Sequence, residues 1–305
     1  MYFTYNTRFN KIQLGGENMK DKSLKVLGFQ LKVDLDCNEL DEYLIINKKL
    51  ETQLEEVKKI IKLKESDIIL FPEMCYIDSL EEYYKEISNN KIVVAGSTYI
   101  KGINYTIIYQ NKKKYIVRKY NASGAEPMVR NIESIDTNTF LKRYLKEHTF
   151  KIKGKKIVIL NCMEYYQHAY RIARECKDIF GMICICSNSN QKVFLEETMA
   201  LNNHIETIYS FVLNCVSTYK GKEYAKGESY IFGPISHHEQ EWLLKEGKKM
   251  YNHNSSIVRL GKDSEYFYGE FSNDFSRFGR SDNYKNNPTN LEVGKIRKDG
   301  NYVSK

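Results

Sequence analysis

The stretch Lys156-Ile157-Val158-Ile159-Leu160-Asn161-Cys162-Met163-Glu164 decides how this chain is read. Its apolar run, rich in β-branched residues, has the signature of a buried strand. The run rises from a basic turn and stops at a cysteine, with a carboxylate two residues later. In open α/β sheets the carboxyl ends of the strands face the crevice where ligands bind. A cysteine fixed there is either inert packing or a nucleophile facing a pocket. The rest of the chain has to choose between the two.

Working outward, strand-like and helix-like segments alternate. Residues 24–31 predict a first strand, and residues 39–64 a long helix with an apolar face close to the 3.6 period. Residues 67–71 read as a second buried strand stopped by Pro72, and residues 79–87 as a short helix with an acidic first turn. Three extended runs follow at 91–99, 103–110 and 114–120, the last two forming a hairpin at a sheet edge. Residues 121–138 have the look of a long functional loop. Beyond a helix at 140–147, residues 150–153 and 156–161 flank Gly154 as another hairpin. Helices are expected at 165–176 and 194–209, and strands at 181–187, 211–217, 229–232 and 255–260. With no internal repeat and no clear linker, one α/β domain is expected over residues 23–270. A polar N-terminal extension (1–22) precedes it. A polar C-terminal tail (271–305) follows, either disordered or an arm that orders only on a partner.

Composition bounds the class. The 305 residues include 24 tyrosines and 14 phenylalanines, enough apolar material for a large core. The formal charge of +8 leaves a nucleic-acid partner possible but not favoured, because the lysines are interleaved with acids along loops and helix faces. No apolar run approaches the ~20 residues of a membrane span, so no membrane partner is expected. The N-terminus lacks the apolar core of a signal peptide, and Met1 and Met19 are both open as the start. Seven cysteines, an odd number without a CxxC, fit no disulfide scaffold. Cys184 and Cys186 alternate on one strand face, and Cys37, Cys75, Cys176 and Cys215 also read as packing residues, with Cys75 close enough to Glu73 to border a site. The expectation is a reducing cytoplasmic location, with no metal and no cofactor.

Three chemical groups stand at strand ends. Glu73 follows the Phe71-Pro72 stop, Lys119 closes the run Tyr115-Ile116-Val117-Arg118, and Cys162 closes the opening stretch. With Gly28-Phe29-Gln30, Phe71-Pro72-Glu73, Lys119, the block Asn161-Cys162-Met163-Glu164, Ser187-Asn188, His204-Ile205-Glu206, Asn214 and Gly227-Glu228-Ser229, the chain resembles the nitrilase, or carbon–nitrogen hydrolase, superfamily over residues 24–260. That resemblance implies a four-layer αββα sandwich, two mixed β-sheets flanked by helices. It also implies a cysteine nucleophile, Cys162, that forms a thioester with an amide or nitrile. Glu73 is then the general base and Lys119 the oxyanion partner. A second glutamate is expected about seven or eight residues beyond the lysine, for which Glu126, seven beyond, is the best candidate and Glu133 the fallback.

Glu126, Glu164 and Met163 are the expected substrate-binding residues, although Glu164 at a helix start also suits the helix dipole. Glu206 reads as a buried structural carboxylate and His237-His238 as loop. Met163 stands where the family carries an aromatic residue, Asn203-His204 where it has arginine–alanine, and Tyr166-Gln167 where it has proline–glutamate. The implied activity is an amidase-like hydrolase, an amide being favoured over a nitrile, with the protein forming a homodimer. The alternatives are an acyltransferase using the same thioester, or a non-catalytic module of the same fold that recognises a ligand, protein or nucleic acid.

Overall fold

The computed structural model describes residues 23–37, 43–122, 126, 135–176, 178–191, 194, 196, 198, 209–233, 256–272 and 289–296. In chain order its strands begin with β1 (Leu24–Gln30), β2 (Lys32–Cys37) and β3 (Tyr43–Ile46), before helix α1 (Asn47–Leu63). Strand β4 (Ile68–Leu70) leads to α2 (Glu81–Ile87), then to β5 (Ile92–Ile100), β6 (Ile103–Gln110) and β7 (Lys113–Arg118). A short helix, α3 (Thr137–Thr139), precedes β8 (Thr149–Ile152), β9 (Lys155–Asn161), α4 (Met163–Glu175) and β10 (Ile179–Cys186). The remaining strands are β11 (Tyr209–Asn214), β12 (Val216–Tyr219), β13 (Lys222–Lys226), β14 (Tyr230–Phe232), β15 (Ser256–Arg259), β16 (Glu265–Phe271) and β17 (Thr289–Lys295).

Two large sheets result, of order β17-β16-β1-β4-β5-β6-β7 and β15-β14-β11-β10-β9-β8, with a smaller one of order β13-β12-β2-β3. Their central strands β1, β4, β9, β10 and β11 are almost wholly buried, which is why they read as largely apolar runs rather than strictly alternating ones. Alternate residues nonetheless go to different layers. Ile157 and Ile159 join Val26, Ile68, Leu70, Ile92, Ile183 and Phe211 between the two large sheets. Val158 and Leu160 point the other way, onto Tyr165, Ala169 and Ile172 of α4. On the outer face of the first sheet, Leu50, Leu54, Val57 and Ile60 of α1 cover Phe29, Ile69 and Phe71. The layers are therefore helix, sheet, sheet, helix, an α/β sandwich as the sequence implied.

Several elements differ from expectation. The helix expected from residue 39 begins only at Asn47, because Tyr43-Leu44-Ile45-Ile46 is a β-rich run that pairs antiparallel with β2. The helix expected at 140–147 is a short helical segment capped by Asp136, passing into a wider π turn at Phe140–Tyr144. Tyr209 opens a strand rather than closing a helix. The polar tail contributes a strand, since β17 pairs antiparallel with β16 and edges the seven-stranded sheet. No helix among the described residues is long and apolar enough to cross a membrane.

Candidate active site

Glu73 leaves the first sheet where Pro72 ends β4. Phe71 still donates its N–H to Val94 O at 2.9 Å, and Met74 then turns with φ 60°. The turn lies against β5 at Gly96, where a Cβ would stand 2.8 Å from Pro72 O and φ is +101°. Only glycine suits that backbone and that approach.

The carboxylate of Glu73 is buried and fully engaged. Oε1 accepts from Asn104 Nδ2 at 2.8 Å and from Lys119 Nζ at 3.2 Å, while Oε2 accepts the Ser187 N–H at 2.7 Å. Asn104 also fixes the lysine, because its carbonyl accepts the Lys119 N–H at 2.9 Å. The Lys119 ammonium reaches Glu126 as well, and Tyr99 Oη donates to the other Glu126 oxygen at 3.0 Å.

Cys162 ends β9 and precedes the first turn of α4. Its backbone is left-handed, with φ 46° and ψ −106°. That conformation is held from both sides: its N–H donates to Ile185 O at 2.8 Å, and its carbonyl accepts from Tyr165 N at 3.0 Å. Strained backbone of this kind concentrates where a side chain has to be aimed. A small cavity is lined by Cys162, Glu73, Glu126, Ser187, Leu35, Met74 and Tyr224. The structure thus brings Glu73, Cys162 and Glu126 onto one wall, with Lys119 bridging the two carboxylates from beneath.

The electrostatics follow from burial and from the charge count. Burial pushes the Glu73 carboxyl up, against the pull of the Lys119 ammonium. Burial and then the Glu73 charge push the Cys162 thiol well above its usual value, and Lys119 only partly counters them. Burial works against the Lys119 ammonium, yet Glu126 and Glu73 outweigh it and hold the lysine firmly charged. The shifts favour a protonated resting thiol, rather than a preformed thiolate, in the same cavity as the Glu73 carboxyl.

Two expected substrate-binding residues fall elsewhere. Met163 opens α4 and is not on the cavity wall. Glu164 is completely buried behind it, accepting backbone N–H groups from Tyr120 at 2.7 Å and Asn161 at 3.1 Å. Burial raises its carboxyl pKa. The left-handed turn at Cys162 sends the chain directly into the helix, so neither side chain is among those lining the cavity. Cys75 lies wholly in the core rather than on the wall. Glu133, His204, Glu206 and His237-His238 lie outside the described residues.

Asn104, Tyr99, Leu35, Met74 and Tyr224 were not anticipated. Asn104 sits inside an ordinary strand pattern, and its one signal is a polar residue at a position that proves buried. Asn214 and Gln30, landmarks of the resemblance, tie loops together: Asn214 Nδ2 donates to Gly227 O at 2.8 Å, and Gln30 Nε2 to Asp263 O at 2.7 Å. Among the described residues, no group of three His, Cys, Asp or Glu side chains is arranged to hold a metal ion.

No family model matches the sequence, and no curated protein matches it. Solved structures do match in fold. Saccharomyces cerevisiae Nit3, a member of branch 10 of the nitrilase superfamily, matches 82% of this chain and 90% of its own at 14% identity, with a TM-score of 0.54. A mutant of the amidase from Nesterenkonia sp., bearing the acetamide moiety of fluoroacetamide on its active site cysteine, matches 90% of this chain and 99% of its own at 11% identity, TM-score 0.54. A carbon–nitrogen hydrolase from Helicobacter pylori matches 87% and 98% at 10% identity, also with TM-score 0.54. At these identities the likeness is one of architecture, and it agrees with the layers described above. The chain has the fold of the nitrilase superfamily.

Proposed function

We propose that the protein hydrolyses a carbon–nitrogen bond of a small non-peptide amide through a thioester on Cys162. The observation that carries this reading is the meeting of Cys162, Glu73 and Glu126 on one cavity, with the buried Lys119 ammonium bonded to both carboxylates. Those groups can complete the reaction. Glu73 takes the thiol proton as Sγ attacks the amide carbon, so no isolated thiolate has to exist in a cavity that already holds two carboxylates and one ammonium. Lys119 stabilises the developing oxyanion. The Met163 side chain is off the wall, but its backbone N–H stands in the first turn of α4, next to Cys162, where helix N–H groups lack intrahelical acceptors, and that N–H is a second donor for the oxygen.

Collapse of the adduct breaks the C–N bond, and Glu73 returns the proton to the departing amine or ammonia. Glu73 then takes a proton from water as it attacks the thioester. The acid leaves and the thiol is restored. Glu126 orients Lys119 and faces the substrate. The amidase of Nesterenkonia sp., with its covalent acetamide adduct on an active site cysteine, supports an amide as the substrate type.

The test is ammonia release from a panel of small amides, with Cys162→Ala as control. Release by the wild type and its loss by about 1,000-fold or more in the variant is expected for a nucleophile. Equal release by both proteins would sink the reading.

A further inference from the structure

Glu164 is a fully buried carboxylate that no step above uses. Its two oxygens serve two different chain segments. One accepts the N–H of Tyr120, the residue after Lys119, and the other accepts the N–H of Asn161, the residue before Cys162. Tyr120 lies beyond the end of β7, and Asn161 is the last residue of β9. Those strands belong to different sheets. At both places the sheet ladder is running out, and a buried amide left without a partner carries the full cost of its desolvation. A carboxylate is the strong acceptor that resolves both at once.

We infer that Glu164 is a positioning residue that ties the Lys119 strand end to the Cys162 strand end, and so fixes the ammonium relative to the nucleophile. This rests on the amidase reading given above. The tie acts through backbone: Glu164 is not among the residues lining the cavity, and its hydrogen bonds hold the residue next to each reacting group. Its own surroundings hold it still. The imidazole of His148, 4.0 Å away, has its Nδ1 2.9 Å from Ile159 O. A carboxylate in the first turn of a helix also favours the helix dipole, which is the competing account of why it is there.

Glu164→Gln and Glu164→Asp separate the two accounts. Aspartate keeps the charge in the first turn but is one methylene too short to reach both amides. Glutamine keeps the length but replaces one acceptor with a donor. If the carboxylate positions the site, both variants lower kcat by about 100-fold, the scale of a small misplacement of reacting groups, with little change in KM. If Asp restores the wild-type kcat, or if both variants change only KM, the inference is overturned.

Hydrogen exchange of the wild-type protein supplies a readout that needs neither variant nor activity. The Tyr120 and Asn161 amides are expected to exchange as slowly as the β9 ladder, and fast exchange at either removes the tie. A wild type that releases no ammonia from any amide would refute the amidase reading, while the exchange result would still decide the tie on its own.

Discussion

At Cys162 a thiol shares one cavity with two carboxylates that both bond the Lys119 ammonium, so the local charge balance decides where the proton rests. Burial and the Glu73 charge both raise the thiol, which favours the proton on sulfur, and burial raises Glu73 as well. The direction of the Glu73 shift has a kinetic consequence. General-base action needs the ionised carboxylate, and a raised pKa moves the loss of that form to higher pH. The acid limb of kcat/KM is therefore expected above the ordinary glutamate value of 4.5. A pH–rate profile whose acid limb lies at or below that value would contradict the role. Glu73, Lys119 and Cys162 were picked out in the sequence by their strand stops taken jointly with the family resemblance, and the structure brings them together. Asn104 and the Tyr120 contact of Glu164 were not picked out, because the partners they hold are distant in sequence.

At the scale of elements, buried runs told their strands plainly and half-exposed ones did not. β1, β4, β9 and β10 are largely apolar and buried, and all were anticipated. β17, Thr-Asn-Leu-Glu-Val-Gly-Lys, sits at an edge with mixed exposure and has no pattern to betray it. The pairing of β1 with β16 shows how close the fit is: Gly28 faces Phe267, and a Cβ on Gly28 would lie 2.2 Å from that ring. Gly28→Ala is expected to destabilise the protein by about 1–3 kcal/mol through overpacking. Pairing it with Phe267→Leu should recover part of that loss in urea denaturation. Purely additive losses would mean that the ring is not the obstacle.

For the whole molecule, the site is assembled from both large sheets. Glu73 follows β4 and Lys119 follows β7 of one, while Cys162 and Ser187 follow β9 and β10 of the other. Packing between the sheets, through Val26, Ile68, Ile157, Ile159 and Phe211, therefore sets the distances that chemistry needs. Part of that assembly is the C-terminal strand, whose Glu292 accepts from Tyr266 Oη at 2.5 Å and pairs with Lys64 of the segment after α1. Ending the chain before residue 289 would expose the β16 edge. A lower Tm, by about 4 °C or more, and concentration-dependent light scattering are the expected results. An unchanged Tm would show that β17 is dispensable.

The left-handed backbone at Cys162 reaches this scale too, because the global stability of the fold has to sustain it. An L-residue held in such a conformation costs ~1–3 kcal/mol, which glycine escapes. Cys162→Gly should therefore match or exceed Cys162→Ala in unfolding free energy, although glycine buries less and normally ranks below alanine. An inactive protein sturdier than its nearest neighbour in sequence would be a direct weighing of what the fold gives up to aim one sulfur atom.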